Sequence, residues 1–433
     1  MLIILQHSYS TYLPTTFSCR SSHIPFVNLI LYYLPPTYII WIRTIDTIMY
    51  LKRPKMALTL IGLWFPPENH IIAYLIYRSF QLTIQYSFLI FNIIYMIMVW
   101  GDLEEVTIAS YLLFTQATLC LKVTTFLVNK NRFSRLLKFL ESDIFETQTE
   151  VEEKILSQQA LKMWRLYSFF LACAMSNSSE WSAFPLMESG PREFPFKIWM
   201  PVSPSKSSNL EYAIGYGYQA FAIFSSATTL VTIDFITVSM IMFASAQLEI
   251  IASKIEMTKP VPMSAGLKLE DQDNLIRDNN NILKECIRQH QAVIRFVEMV
   301  ENMFNVNIFF QMSGTVAIIC VIAFRITIED PNSMQFYSTL NYLVTMLAQL
   351  YLYCWCGNEL TDRSQVLRDT LYKSPWYEQD QKFKKTLCIA MECMKRPIIF
   401  RAGYYIPLSR PTFVSILRCS YSYFAVLNQA SDN

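Results

Sequence analysis

Residues 337–360, YSTLNYLVTMLAQLYLYCWCGNEL, and residues 413–427, FVSILRCSYSYFAVL, are two apolar runs flanking a polar, basic stretch. A helix needs roughly 20 mostly apolar residues to cross the hydrocarbon core, and residues 336–355 and 407–427 each supply that length. The stretch between them carries Ser374-Pro375-Trp376-Tyr377, Lys384-Lys385, Met394-Lys395-Arg396-Pro397 and Ala402-Gly403. Basic loops stay on the cytoplasmic side. The first run therefore enters the cytoplasm, basic helical segments follow, and the second run returns through the bilayer to leave the C-terminus outside.

Composition extends this reading to the whole chain. Of 433 residues, 53% are hydrophobic, 15% aromatic and only 16% charged, more apolar than a soluble core requires. The expected class is an all-α polytopic membrane protein. A net charge of +2, with the basic residues segregated by loop, offers no patch that tracks nucleic-acid phosphates.

Seven transmembrane helices are expected, at 79–100, 106–128, 164–184, 212–246, 304–324, 336–355 and 407–427. Lys130, Arg132, Arg135, Lys138, Lys154 and Lys162 fill the loop 129–163, and Lys254 to Arg295 the loop 247–303. The turn 101–105 has Asp102, Glu104 and Glu105 with no Lys or Arg. Basic loops thus alternate with poor ones, which predicts a cytoplasmic N-terminus and an extracellular C-terminus. Residues 1–48 read as an extension outside the seven-helix domain 49–433, with Met49 or Met56 as alternative starts.

Cytoplasmic helices are expected within about 247–303 and 357–406. Leu283, Ile287 and Val297 recur at helical spacing, as do Leu360, Leu367, Leu371, Phe383, Leu387, Met391 and Met394. Such stripes outside a bilayer must find protein partners. Between the third and fourth spans, Pro185, Pro191, Pro195, Pro201 and Pro204 stiffen a loop holding Phe194, Phe196 and Trp199, which predicts an ordered segment, either a lid or a loop without a role in ligand access. The one glycosylation sequon, Asn177-Ser178-Ser179, lies close to the membrane on the outer side.

Little here supports chemistry. The four histidines, His7, His23, His70 and His290, all fall outside the spans, which excludes the seven-span zinc hydrolases and their membrane-embedded metal. No phosphate-binding glycine loop or nucleophile motif occurs, so neither an enzyme nor a cofactor is expected. The cysteines read as reduced packing residues. Charges at membrane depth are Lys122, expected to snorkel to the interface, Asp234, expected in an interhelical hydrogen bond, and Arg418, whose surroundings stay open.

From Tyr50-Leu51-Lys52-Arg53 and Leu60-Ile61-Gly62-Leu63-Trp64 onward, and most specifically over 337–433 with Cys356-Gly357-Asn358-Glu359-Leu360, Ser374-Pro375-Trp376-Tyr377 and Ser420-Tyr421-Ser422-Tyr423-Phe424, the chain resembles the insect odorant receptor family. The resemblance implies an odorant-tuned subunit of a ligand-gated, non-selective cation channel, in the plasma membrane of a sensory neuron dendrite. It further implies a heteromeric, tetrameric assembly with the odorant receptor coreceptor. The coreceptor itself carries a longer insertion than the loop 247–303 accommodates. Two alternatives stand beside it. The gustatory branch ends in Thr-Tyr, five further residues and Gln-Phe, where this chain has Ser422-Tyr423, Gln429 and Ala430, and a seven-span transporter lacks support from internal repeats.

The resemblance also places an odorant pocket in the outer half of the bundle, between the second, third, fourth and sixth spans. Those halves offer Tyr111, Phe114, Cys173, Trp181, Tyr216, Phe224, Tyr337 and Met346. It makes the last helix the pore lining, with Ser422 and Gln429 on the pore face, Val426 at one gate position and Ala430 at the second, where the family has a bulkier residue.

Overall fold

In a computed structural model of the chain, the described residues are 50–66, 70–187, 192–202, 204, 208–261 and 269–431. The chain divides into two compact units, Met1–Ile45 and Asp46–Asn433. The first, and with it the expected extension 1–48, lies outside the described residues.

The second unit is helical: α1 (Lys52–Ile61), α2 (Ile71–Met98), α3 (Leu103–Val128), α4 (Lys130–Leu140), α5 (Glu150–Met187), α6 (Asn209–Glu256), α7 (Leu269–Ile328), α8 (Met334–Lys373), α9 (Gln381–Cys393) and α10 (Arg410–Ser431). The seven expected spans fall on α2, α3, α5, α6, α7, α8 and α10. Among the described helices, α2, α3, α6 and α7 are long and apolar enough to cross a membrane by composition alone. The other three carry more polar residues over the same length.

Several helices run far beyond a bilayer. α7 has 60 residues, roughly 90 Å at about 1.5 Å per residue, against a hydrocarbon core of about 30 Å. It contains no proline and a single glycine, so nothing interrupts its hydrogen-bond ladder. Residues 269–303, expected as part of a loop with helical stretches, are the continuous lower half of this membrane helix. α6 starts on a capping box, in which the Ser208 hydroxyl accepts from Glu211 N at 3.3 Å and Glu211 Oε2 accepts from Ser208 N at 2.9 Å. α8 starts on Ser333, whose hydroxyl accepts from Phe336 N at 3.1 Å, and stops at Ser374, before a proline that disfavours further helix.

α6 is the axis of the bundle, buried without a break from Val231 to Leu248. At its lower half Phe243 meets Phe145 and Phe296 at ring distances of 5.6 and 5.5 Å, with Phe145 5.9 Å from Phe296. These rings lock the turn after α4 to α6 and α7. The apolar stripes of α7, α8 and α9 find partners inside the chain: Leu283, Val297, Leu360, Leu367, Leu371, Phe383 and Leu387 are all buried in one core. A polar knot ties their far ends. Asn279 Nδ2 donates to Lys259 O at 2.8 Å and to Gln379 Oε1 at 2.9 Å, and Gln379 Nε2 donates to Lys259 O at 2.8 Å. Burial in this region pushes the His290 imidazole down to about 4.

A short antiparallel hairpin, β1 (Arg401–Ala402) paired with β2 (Ile406–Pro407), turns the chain from α9 into α10. Gly403, at φ 58°, donates from its N to Asn305 O at 3.1 Å, and a Cβ there would lie 2.7 Å from the Phe309 ring. Gly357 of α8 sits equally tightly, since a Cβ would meet Leu408 Cβ and lie 2.5 Å from Leu408 O. The backbones of α8 and of the segment leading into α10 therefore touch.

Candidate functional site

A cavity of about 120 Å³ lies between α3, α5, α6 and α8. An apolar cavity of about 150 Å³ is enough to hold benzene, so the space suits a compact organic molecule.

Its upper wall is aromatic. Tyr111 of α3 stands 5.2 Å from the Trp181 ring of α5 and 5.9 Å from the Tyr342 ring of α8. Phe196 of the proline-rich loop stacks on Trp181 at 5.9 Å. The loop is held in place by its backbone and one ion pair: Phe196 N donates to Gln219 Oε1 at 2.9 Å, Trp199 N donates to Phe91 O at 3.3 Å, and Lys197 Nζ pairs with Glu105 at 2.7 Å. The ordered loop thus contributes a wall of the cavity. Behind the aromatic wall the Arg325 guanidinium lies 5.6 Å from the Tyr111 ring and pairs with Glu329.

Ile223, Leu230, Val231 and Phe235 of α6, Phe170 and Ala174 of α5, and Leu112 and Leu119 of α3 make the sides. The floor is polar. Asp234 accepts from Lys122 and from Gln349, and from the Tyr353 hydroxyl at 2.7 Å. The expected interhelical bond of Asp234 is present three times over. Lys122, by contrast, does not snorkel. Its side chain is 1% exposed, because α3 lies inside the bundle at this level and a carboxylate is nearer than the membrane surface.

Of the eight residues proposed for the pocket, Tyr111, Trp181 and Met346 line this cavity and the other five do not. Phe114 and Tyr337 are exposed on the outside of the chain, Tyr337 by 59%. Cys173 and Phe224 are half-buried on other faces of α5 and α6. Tyr216 is half-buried and donates to Ser182 O, joining the outer ends of α5 and α6. The reading missed Tyr342, Thr345 and Gln349, which share with Met346 and Tyr353 one face of α8 at helical spacing. It also missed Asn177. That side chain is buried in mid-helix and its Nδ2 donates to Thr345 Oγ1 at 3.1 Å, so the sequon is closed to glycosylation in this fold.

On α10, Ser422, Val426 and Gln429 are exposed in the single chain, Val426 by 65%, while Ser420 on another face is buried. Arg418 is exposed as well. The Ala430 side chain lies outside the described residues.

The family model described as 7tm Odorant receptor matches residues 102–421. The chain belongs to the odorant receptor family. It is 24% identical over 401 residues to odorant receptor 46a, isoform A, of Drosophila melanogaster, covering 88% of this chain and 98% of that protein. It is 23% identical over 394 residues to odorant receptor Or1 of Anopheles gambiae, covering 86% and 93%. The fold is similar to that of the insect olfactory receptor OR5 of Machilis hrabei, with a TM-score of 0.75 at 13% identity over 88% of this chain and 98% of that one. OR5 in complex with eugenol gives a TM-score of 0.76 at 14% identity, over 89% and 99%. The odorant receptor is thus a multi-pass helical membrane receptor, not an enzyme.

Proposed function

We propose that this odorant receptor is the odorant-tuned subunit of a ligand-gated, non-selective cation channel formed with the odorant receptor coreceptor, and that small volatile molecules bind in the cavity between α3, α5, α6 and α8. The observation that carries the reading is the aromatic wall of Tyr111, Trp181, Tyr342 and Phe196 over a mainly apolar space. Burial there stabilises a ligand by about 25 cal/mol per Å² without directional bonds. The solved complex of OR5 with eugenol supports the same ligand class.

In this reading the N-terminus is cytoplasmic, the C-terminus extracellular, and the segments of about 247–303 and 357–406, which hold the ends of α6 and α8, the lower half of α7 and all of α9, form an anchor below the plasma membrane. α10 lines the pore, and its exposed Ser422, Val426 and Gln429 face the ions and the neighbouring subunits, with Ala430 at the second gate position. The test is whole-cell current in cells expressing the chain with and without the coreceptor. Current evoked by volatiles only in the co-expressing cells is the expected result. Volatile-evoked currents identical with and without the coreceptor, or none in either, would sink the proposal.

A further inference from the structure

We propose that the cavity selects small volatiles bearing a hydroxyl group, alcohols or phenols, through Asn177 of α5 and Ser226 of α6. This rests on the reading of the cavity as the odorant site.

Most polar groups in the cavity wall are already engaged. Thr115 Oγ1 and the Tyr342 hydroxyl share a bond of 2.6 Å, the Ser178 hydroxyl donates to Ala174 O at 2.9 Å, and Asp234 accepts from three donors. Two lining side chains differ. Asn177, 8% exposed, spends its Nδ2 on Thr345 but leaves Oδ1 buried without a partner, and Ser226, 5% exposed, has a buried hydroxyl with no partner at all. Buried polar atoms are normally satisfied, and an orphan is costly. Two orphans in the wall of one cavity point to an occupant that satisfies them.

Their placement fits a small molecule. The bonds from Tyr167 to Thr232, at 3.2 Å, and from Tyr216 to Ser182 O set α5 and α6 antiparallel, which puts Ser226 roughly one helical turn below the level of Asn177. The Asn177 carbonyl can only accept, so the ligand must donate. The Ser226 hydroxyl can donate, so the same ligand oxygen can accept from it. A hydroxyl does both with one atom. An ether, ketone or ester only accepts and a hydrocarbon does neither. A charged amine or carboxylate would enter a buried site whose ion pair, Lys122 with Asp234, is already balanced, and would lack a counter-charge.

The test uses the full chain with its coreceptor and a panel of matched pairs, each an alcohol or phenol and its methyl ether on the same carbon skeleton. The hydroxyl member is expected to act at about tenfold lower concentration, or lower still, because the ether leaves Asn177 unpaired. Asn177→Leu should bring the ratio within a pair toward one, while Ser226→Ala, nearly the same shape, should raise the effective concentration of both members alike because an ether oxygen also accepts from Ser226, with surface expression followed by an epitope. Ethers as potent as their alcohols on the unsubstituted chain, or a ratio unmoved by Asn177→Leu, would overturn the hydroxyl preference, potencies unmoved by Ser226→Ala would overturn the part given to Ser226, and either result would leave the odorant site standing. Silence toward every member of both series, in cells whose surface carries the heteromer, would overturn the odorant-site reading itself.

Discussion

The Tyr353 hydroxyl donates to Asp234 Oδ1 over 2.7 Å at the cavity floor, on the carboxylate that also receives Lys122 and Gln349. Three helices, α3, α6 and α8, are thereby joined at one atom group. Removing one partner of a buried pair strands the other charge and costs about 3–5 kcal/mol. Asp234→Ala should therefore lower the melting temperature of detergent-solubilised receptor sharply. Tyr353→Phe should cost about 1.5–3 kcal/mol. Replacing Lys122 and Asp234 together by leucine should recover most of the loss, since no charge is then stranded. An Asp234→Ala protein that melts with the parent would contradict the clasp.

Acid should weaken the core of the lower half of α7 through His290. Burial pushes its imidazole down to about 4 from an ordinary 6.5, so the unfolded chain takes up the proton first. The sign follows: the contribution is whole above about pH 6.5 and is lost as pH falls toward 4, by at most about 3 kcal/mol. Thermal melts across that window should flatten in His290→Gln. Parallel pH dependence in the two proteins would refute the assignment.

The cavity and the outer surface should respond differently to substitution. Ala174→Leu or Ala227→Leu places bulk into about 120 Å³ and should shift volatile dose–response curves by about tenfold or more, given that overpacking costs about 1–3 kcal/mol. Tyr337→Ala, on a side chain outside the cavity, should leave the curve in place. The reverse order of effects would mean that ligands bind elsewhere.

Val426 is the one bulky apolar residue among the exposed positions 422, 426 and 429 of α10. A hydrophobic constriction closes by excluding water. Val426→Ser should raise basal current in cells co-expressing the coreceptor, and Gln429→Glu should change relative ion permeabilities more than odorant sensitivity. Normal basal current at normal surface density would remove Val426 from the gate.

At Gly357 any side chain must displace the Leu408 backbone. Gly357→Ala should cost about 1–3 kcal/mol as overpacking and reduce folded receptor in size-exclusion profiles. An undiminished profile would show that the contact can open without penalty.

Four of the spans were readable as long apolar runs, and the stripes on α7, α8 and α9 because their spacing is helical. Which face of a helix looks inward was not. Tyr337 and Met346 are nine residues apart on α8, and at about 100° per residue that puts them on opposite sides, so one site never holds both. Lys122 illustrates a second limit. A lysine near the end of an apolar run snorkels unless a carboxylate waits inside, and Asp234 is more than a hundred positions away in sequence. The hairpin before α10 was hidden for a related reason, since Gly403 owes its conformation to Asn305 and Phe309 on a distant helix.

α6 runs as one rod from the capped Ser208 to Glu256. Its upper half meets the cavity with small and apolar side chains such as Ile223, Ser226 and Ala227, while below Val231 almost every position is sealed in the core. With the cavity as the proposed odorant site, exchanges in the upper half alter what the receptor detects without disturbing the machinery underneath. Exchanges in the lower part endanger the protein before they alter detection. A lineage of such receptors can therefore diversify its sense of smell along one end of a single helix while inheriting the other end almost untouched.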